Sequence, residues 1–254
     1  MSDSVSTNPP SNVDKAPGEV QLAAQEVGAG RPGRHARPYL AAIAIGCALL
    51  FVVDALVVTG AGYTSFDRAV ELFVQNWPWG PVAYAFGATN ALAGTAQIIF
   101  GVVVAAIFAV WDRRAGWLLL IGSGASLIDN LLKVSFQRHR PTADLVNVVG
   151  VTPGYSFPSG HAVFFTWLAV MVAAALAPRV KPGLRPLLWT AAVLLILIAC
   201  LGRVYVGAHW PTDVLGGLLI GLGWSALVLW LPERWLPTPS RTWLRFGRRS
   251  RVAA

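Results

Sequence analysis

The sequence has 254 residues, 55% hydrophobic and 13% charged, with a mean hydropathy of +0.57. Soluble domains carry about a quarter charged residues, so this balance excludes an ordinary water-soluble fold and points to an all-α membrane protein. The formal charge of +8 does not imply a nucleic-acid partner, because the basic residues sit in short loops and in the C-terminal tail beside apolar runs, and no nucleic-acid-reading module is recognisable.

Residues 1–38 are rich in Ser, Pro, Gly, Asn and Ala without apolar periodicity, a composition expected to remain disordered. This tail is too long for a signal-peptide n-region, so the apolar run after it is expected to be a retained membrane helix. That first span is predicted over 39–60. It is interrupted by Asp54, which must face other helices or water. Next, Phe66, Ala69, Val70, Phe73, Val74 and Trp77 recur at helical spacing while Asp67, Arg68, Glu71 and Gln75 fill the other face, the pattern of a short interfacial helix. An amphipathic connector with no lipid contact fits the same pattern. Thr64, three residues before Asp67, suits its N-cap. Further spans are predicted at 91–110 (preceded by a short surface helix between Pro81 and Thr89), 116–134, 162–176, 187–205 and 214–231, all but 162–176 near the roughly 20 residues that cross a bilayer. The expected architecture is a six-transmembrane-helix bundle over 39–232 with a basic tail over 233–254. Cys47 and Cys200 lie in apolar runs and offer neither zinc-site spacing nor a disulfide framework. Gly217 and Gly221 have the spacing that lets membrane helices approach closely.

Six spans put both termini on one side. With them lie Arg31, Arg34, Arg37, Arg113, Arg114, Arg179, Lys181, Arg185 and the arginines of the tail, so the positive-inside rule makes that side cytoplasmic. The other side holds only Arg68, Lys133, Arg138, Arg140 and Arg203, most of which call for a different explanation.

Lys133 and Arg140 flank the end of the third span, where a compact ammonium and a guanidinium fork suit phosphate oxygens; snorkelling of basic side chains fits the pair as well. In Phe157-Pro-Ser-Gly-His161, Ser159 occupies the N-cap of the fourth span, whose free N–H groups favour an anion, and Gly160 admits close approach of a phosphate to the backbone. His209 and Asp213, separated by one helical turn with Pro211 between them, allow the carboxylate to fix one imidazole tautomer and leave the other nitrogen free to act. A simple helix cap with an incidental histidine, and a helix start with a satisfied histidine–aspartate pair, are the plainer readings. Topology nevertheless delivers all three motifs to one face although whole spans separate them.

Taken together, Lys-x6-Arg-Pro, Pro-Ser-Gly-His and Arg-x5-His-x3-Asp resemble the three-part signature of the type 2 phosphatidic acid phosphatase family, whose superfamily includes bacterial acid phosphatases and vanadium haloperoxidases. The resemblance extends from about Ser65 to Leu231. It implies that His209 is the nucleophile, forming a phosphohistidine and oriented by Asp213. It implies too that His161 protonates the leaving alkoxide and then activates water, while Lys133, Arg140, Arg203, Ser159 and the Gly160 amide hold the phosphoryl oxygens. No metal and no cofactor are implied. One position departs: the family's third motif usually begins Ser-Arg, whereas Gly202 precedes Arg203 here, so one hydroxyl contact to phosphate is missing. Arg138 and His139 fit either contact with a second phosphate or headgroup, or plain solvent exposure. Asp129, one turn before Lys133, is structural or tunes that lysine.

The expected function is that of a multi-pass cell-membrane phosphatase acting at the outer face on a lipid phosphate or pyrophosphate of the phosphatidate, phosphatidylglycerol phosphate or isoprenyl pyrophosphate class. The bilayer and the lipid substrate are its expected partners. The alternatives are a phosphotransferase passing the phosphoryl group to another lipid or sugar, and a catalytically silent lipid-binding or transport protein of the same fold.

Overall fold

The computed structural model describes residues 38–59, 62–150 and 152–231. Both predicted tails apart from Pro38, which opens the first helix, and Gly60 at the end of the predicted first span lie outside the described residues. Within them the chain forms α1 (Pro38–Thr59), α2 (Ser65–Asn76), α3 (Val82–Ala91), α4 (Thr95–Trp111), α5 (Arg113–Gly122), α6 (Gly124–Phe136), α7 (Gly160–Leu176), α8 (Arg185–Tyr205) and α9 (Pro211–Trp230), and no strand.

Four of these segments are long and apolar enough to cross a membrane: α1, the pair α5–α6 taken as one, α8 with its leading turn, and α9. The pair α3–α4 passes the same test together but is bent by 89°. The bend falls at Gly94, whose φ of 56° is a left-handed conformation that a residue without Cβ adopts most readily. The helix at the place of the expected second span therefore begins at Thr95 rather than at 91, and the expected surface helix before it is α3. Helix α7 is apolar but has only 17 residues. The connection expected to carry Arg113 and Arg114 is a single residue, Asp112, whose carboxylate accepts from the Arg114 backbone N–H at 2.8 Å and pairs with Arg179. Both arginines sit in the first turn of α5.

Twelve of the seventeen α7 residues are buried, so this short helix forms the centre of the bundle. Trp167, Leu168 and Met171 pack with Leu119 on one side, while Ala169 and Ala173 pack with Ala192, Ile196 and Val214 on the other. A Cβ on Gly217 would lie 2.5 Å from the Ser159 carbonyl oxygen, and one on Gly221 would lie 2.6 Å from Thr166 Cβ. Close backbone approach between α9 and α7 thus depends on those two glycines, as their spacing suggests. Leucines, isoleucines and valines on the outer faces of α1, α4, α6 and α8 remain exposed, as expected where hydrocarbon rather than water surrounds the helices. Asp54 is buried beside Gly216 of α9, so its carboxyl faces protein.

Helix α2 begins with the expected capping box between Thr64 and Asp67. Phe66, Phe73 and Trp77 are exposed, whereas Asp67, Glu71 and Val74 are buried, so the acidic residues turn into the protein beside Val74 and the aromatic edge of the helix turns outward. Both Glu71 carboxyl oxygens lack a hydrogen-bond partner among the described residues. Burial, with Asp213 and Asp67 nearby, pushes its carboxyl up from 4.5 to about 8. A carboxyl with a raised folded-state value binds its proton more tightly when folded, so its contribution is complete below pH 4.5 and is lost as pH rises towards 8. Glu71→Gln removes that dependence. The apparent melting temperature of the variant in detergent should match wild type near pH 5 and exceed it by a margin that grows up to about pH 8; a difference constant across pH would contradict this protonation state.

Candidate active site

Helices α6 and α8 run towards one end of the bundle and α7 and α9 start from it, so the side chains of all three motifs meet there. Lys133, in the last turn of α6, donates to Asp129 Oδ1 at 2.5 Å and to the Pro158 carbonyl oxygen at 2.6 Å. The ion pair gives Asp129 its role, which is to hold the ammonium in place. A Cβ on Gly160 would lie 2.8 Å from Asp129 Oδ2 and 3.3 Å from Lys133 Nζ. That residue is glycine because this pair packs against the start of α7, as well as for any approach of phosphate.

Arg140, in the loop after α6, is tied to the Gly154, Tyr155 and Ala208 carbonyl oxygens at 2.9, 3.0 and 2.6 Å. Its Nη1 also lies 3.0 Å from His209 Nε2. A guanidinium can only donate, so Nε2 is the accepting nitrogen and the imidazole proton is assigned to Nδ1. Burial, followed by the charges of Arg140, Arg203 and Lys133, holds the His209 pKa well below 6.5. The ring is therefore neutral, with its Nε2 lone pair facing the cationic cluster.

On the other side of the ring, Nδ1 is 3.7 Å from Asp213 Oδ2, too long for a direct hydrogen bond. Ser156 Oγ stands beside both, 3.5 Å from Nδ1 and donating to Asp213 Oδ2. The expected one-turn adjacency of His209 and Asp213 is present, but their polar contact runs by way of Ser156. Asp213 Oδ2 also accepts from the Trp210 backbone N–H at 2.8 Å.

Arg203 is buried, with Nη1 donating to Asn90 Oδ1 and Nε unpartnered among the described residues. Asn90 Nδ2 donates to the Gly202 carbonyl oxygen at 3.2 Å. A Cβ on Gly202 would meet Phe86 Cβ at 3.3 Å. Where the family pattern has serine, α3 fills the space and Asn90 supplies a polar contact to Arg203.

Lys133, Arg140, Gly160, His161, Arg203 and His209 line one cavity of about 1580 Å³. Ser159 and Asp213 lie behind it. The Ser159 hydroxyl is buried and unpartnered among the described residues, and its backbone N–H donates to the Asp213 carbonyl oxygen at 2.8 Å. From the cationic end the cavity continues between α4 and α5–α6, past Gly101, Ala105 and Ala109, to Trp117 and Arg113. Lys133 and Arg113 are 133 − 113 = 20 residues apart, about 30 Å of helix rise, which matches a bilayer's hydrocarbon thickness. One end can hold an anion and the rest an apolar chain.

Sequence reasoning missed four residues of this site: Ser156, Asn90, Asp67 and the true place of Arg138. Arg138 neither faces solvent nor lines the large cavity. It is buried and bonded to Asp213, Thr212 and Asp67. His139 is exposed. A partial signal for α2 existed in Asp67 and Glu71, spaced one turn apart on an otherwise amphipathic helix.

Residues 114–237 match the family model of the PAP2 superfamily. Phosphatidylglycerophosphatase B of Bacillus subtilis is 34% identical over 117 residues, covering 44% of this chain and 54% of that protein. Undecaprenyl-diphosphatase of Sulfolobus acidocaldarius is 36% identical over 67 residues, covering 26% and 29%. The chain thus spans about half or less of the length of these relatives. The crystal structure of a transmembrane PAP2 type phosphatidylglycerolphosphate phosphatase from Bacillus subtilis superposes with a TM-score of 0.62 at 25% identity, covering 73% of this chain and 94% of that one. Together with the apolar helices this makes the protein a multi-pass membrane protein. Residues 114–237 thus carry the pattern of the PAP2 superfamily, that of the type 2 phosphatidic acid phosphatases.

Proposed function

We propose that the protein is a lipid phosphate or pyrophosphate phosphatase working through a phosphohistidine. The observation that carries this reading is the cavity itself, with two histidines and three cations at one end and an apolar groove of bilayer length leading away from them. His209 Nε2 attacks phosphorus, the P–O bond to the leaving group breaks, whether ester or anhydride, and the leaving oxygen takes the proton that His161 holds once the bound phosphate's negative charge offsets the surrounding cations. His161 then takes a proton from water, hydroxide attacks phosphorus, the P–N bond breaks with its electron pair returning to Nε2, and inorganic phosphate leaves. Lys133, Arg140, Arg203 and the Gly160 N–H stabilise the equatorial oxygens, and Ser159 supports the cradle from behind. These charges do what metal ions do in other phosphatases. The Bacillus and Sulfolobus relatives are a phosphatidylglycerophosphatase and an undecaprenyl-diphosphatase, which favours water as acceptor.

In this reading the chain crosses the bilayer six times, with α4 and α7 as the spans that length alone does not count. The arginine distribution puts the site at the outer face and both termini in the cytoplasm. The test is phosphate release by detergent-purified protein from phosphatidate, phosphatidylglycerol phosphate, an isoprenyl pyrophosphate and a water-soluble aryl phosphate. The lipids should be turned over with kcat/KM at least about tenfold above the aryl phosphate, since burying apolar chain contributes about 0.8 kcal/mol per CH₂, and the rate should persist in excess chelator. Absence of phosphate release from every lipid, or strict dependence on added magnesium, would overturn the proposal.

A further inference from the structure

Arg138 lies between two buried carboxylates drawn from distant parts of the chain. Its Nη1 donates to Asp213 Oδ1 at 2.6 Å and to Thr212 Oγ1 at 2.7 Å, its Nη2 donates to Asp67 Oδ2 at 2.8 Å, and its Nε donates to the Gly62 carbonyl oxygen at 3.1 Å. Asp67 is satisfied on both oxygens. Oδ1 accepts from the Thr212 backbone N–H at 3.0 Å and from its hydroxyl at 2.8 Å, and Oδ2 accepts from the Thr64 backbone N–H at 3.0 Å. The Thr64–Asp67 turn and the first turn of α9 are thus joined through the Arg138 guanidinium, which donates to both, and the Asp67 carboxylate, which accepts from Thr64 and Thr212.

The two Asp213 oxygens are divided between different tasks. Oδ1 belongs to Arg138, while Oδ2 faces Ser156 and the Nδ1 edge of His209. Fixing Oδ1 sets the carboxylate plane, and with it the direction in which Oδ2 meets the imidazole. We infer that Arg138 and Asp67 are positioning residues for the Asp213–Ser156–His209 array, so that helix α2, whose acidic residues are turned inward, helps to aim the nucleophile. This rests on the phosphohistidine reading of His209. Arg138 itself does not line the large cavity, so it acts through Asp213 rather than on the phosphoryl group. Loss of Arg138 would leave two buried carboxylates without their cation, which is costly.

The test uses full-length Arg138→Lys, Arg138→Gln and Asp67→Asn in detergent, with kcat, KM and melting temperature measured for each, alone and in an Asp213→Asn background. Misaiming a nucleophile by about 1 Å costs on the order of 10²-fold. Arg138→Gln should therefore lower kcat by about that factor with KM changed less than about threefold. Arg138→Lys, which can serve one carboxylate but not both, should fall in between. In the Asp213→Asn background Arg138→Gln should cost nothing further, because both changes remove one arrangement. Asp67→Asn leaves the Asp213 contact in place and should give a smaller kcat loss of the same kind. Any of three outcomes would overturn the inference: full additivity with Asp213→Asn, a KM rise at unchanged kcat, or kcat losses that follow melting temperature across all three variants. Failure of wild type to hydrolyse any phosphate would instead sink the functional reading, so the two failures are distinguishable.

Discussion

His209→Ala is expected to abolish lipid phosphate hydrolysis, lowering kcat by at least about 10⁴-fold, as loss of a covalent nucleophile does elsewhere. The expectation follows from atoms rather than from the motif alone. Arg140 Nη1 stands 3.0 Å from His209 Nε2, which makes that nitrogen an acceptor, and burial beside three cations keeps the ring neutral. A neutral imidazole with its lone pair directed at an anion site is a nucleophile at working pH. The Nδ1 proton faces Ser156 and Asp213, where the positive charge that forms on phosphorylation is matched by a buried carboxylate. Ser156→Ala should be milder, because the carboxylate remains. A His209→Ala enzyme with a tenth or more of the wild-type rate would assign the nucleophile elsewhere.

Arg203→Ala is expected to lower kcat by about 10²- to 10³-fold, the loss typical of removing one preorganised donor to a developing negative charge, with a much smaller change in KM. Arg203 is the cleaner of the two arginines to test. Arg140 is tied to carbonyl oxygens of the 153–155 loop and of Ala208, so truncating it disturbs the backbone as well as the charge. Arg203 keeps Nε unpartnered among the described residues and is held by Asn90, leaving donors for a phosphoryl group. Arg203→Lys should recover little, since an ammonium cannot both satisfy Asn90 and present a fork to phosphate. A raised KM with unchanged kcat would mean that Arg203 binds the ground state only.

The cationic and histidine residues were legible in the sequence because each sits at a helix end or in the loop beside one, and the alternation of helix direction puts those ends together. Spacing suggested Lys133–Arg140, Gly160–His161 and His209–Asp213, and the resemblance to a three-part signature gave them roles. The supporting contacts were not legible, since Arg138–Asp67 and Arg203–Asn90 link residues 71 and 113 positions apart and leave no periodic trace. Ser156 escaped because a small polar residue in a loop has no pattern that distinguishes it. For α2, periodicity separated two faces but not their direction. Burial of Asp67 and Glu71 decides it, because their partners and neighbours lie on α9 and on the loop after α6. The bend at Gly94 was hidden by an apolar composition that continues across it, and α7 was legible as a short apolar helix but not as the central, mostly buried one it is.

The central claim is that the two histidines act in succession, His209 on phosphorus and His161 on the proton. It is tested most directly by rapid alkaline quenching of His161→Ala with an aryl phosphate, whose leaving group departs without a proton. Hydrolysis of the intermediate then lacks its base. Acid-labile phosphohistidine should accumulate on His161→Ala and should be absent from His209→Ala and from the double variant. Phosphate trapped on His209→Ala and never on His161→Ala would contradict the account, exchanging the two roles.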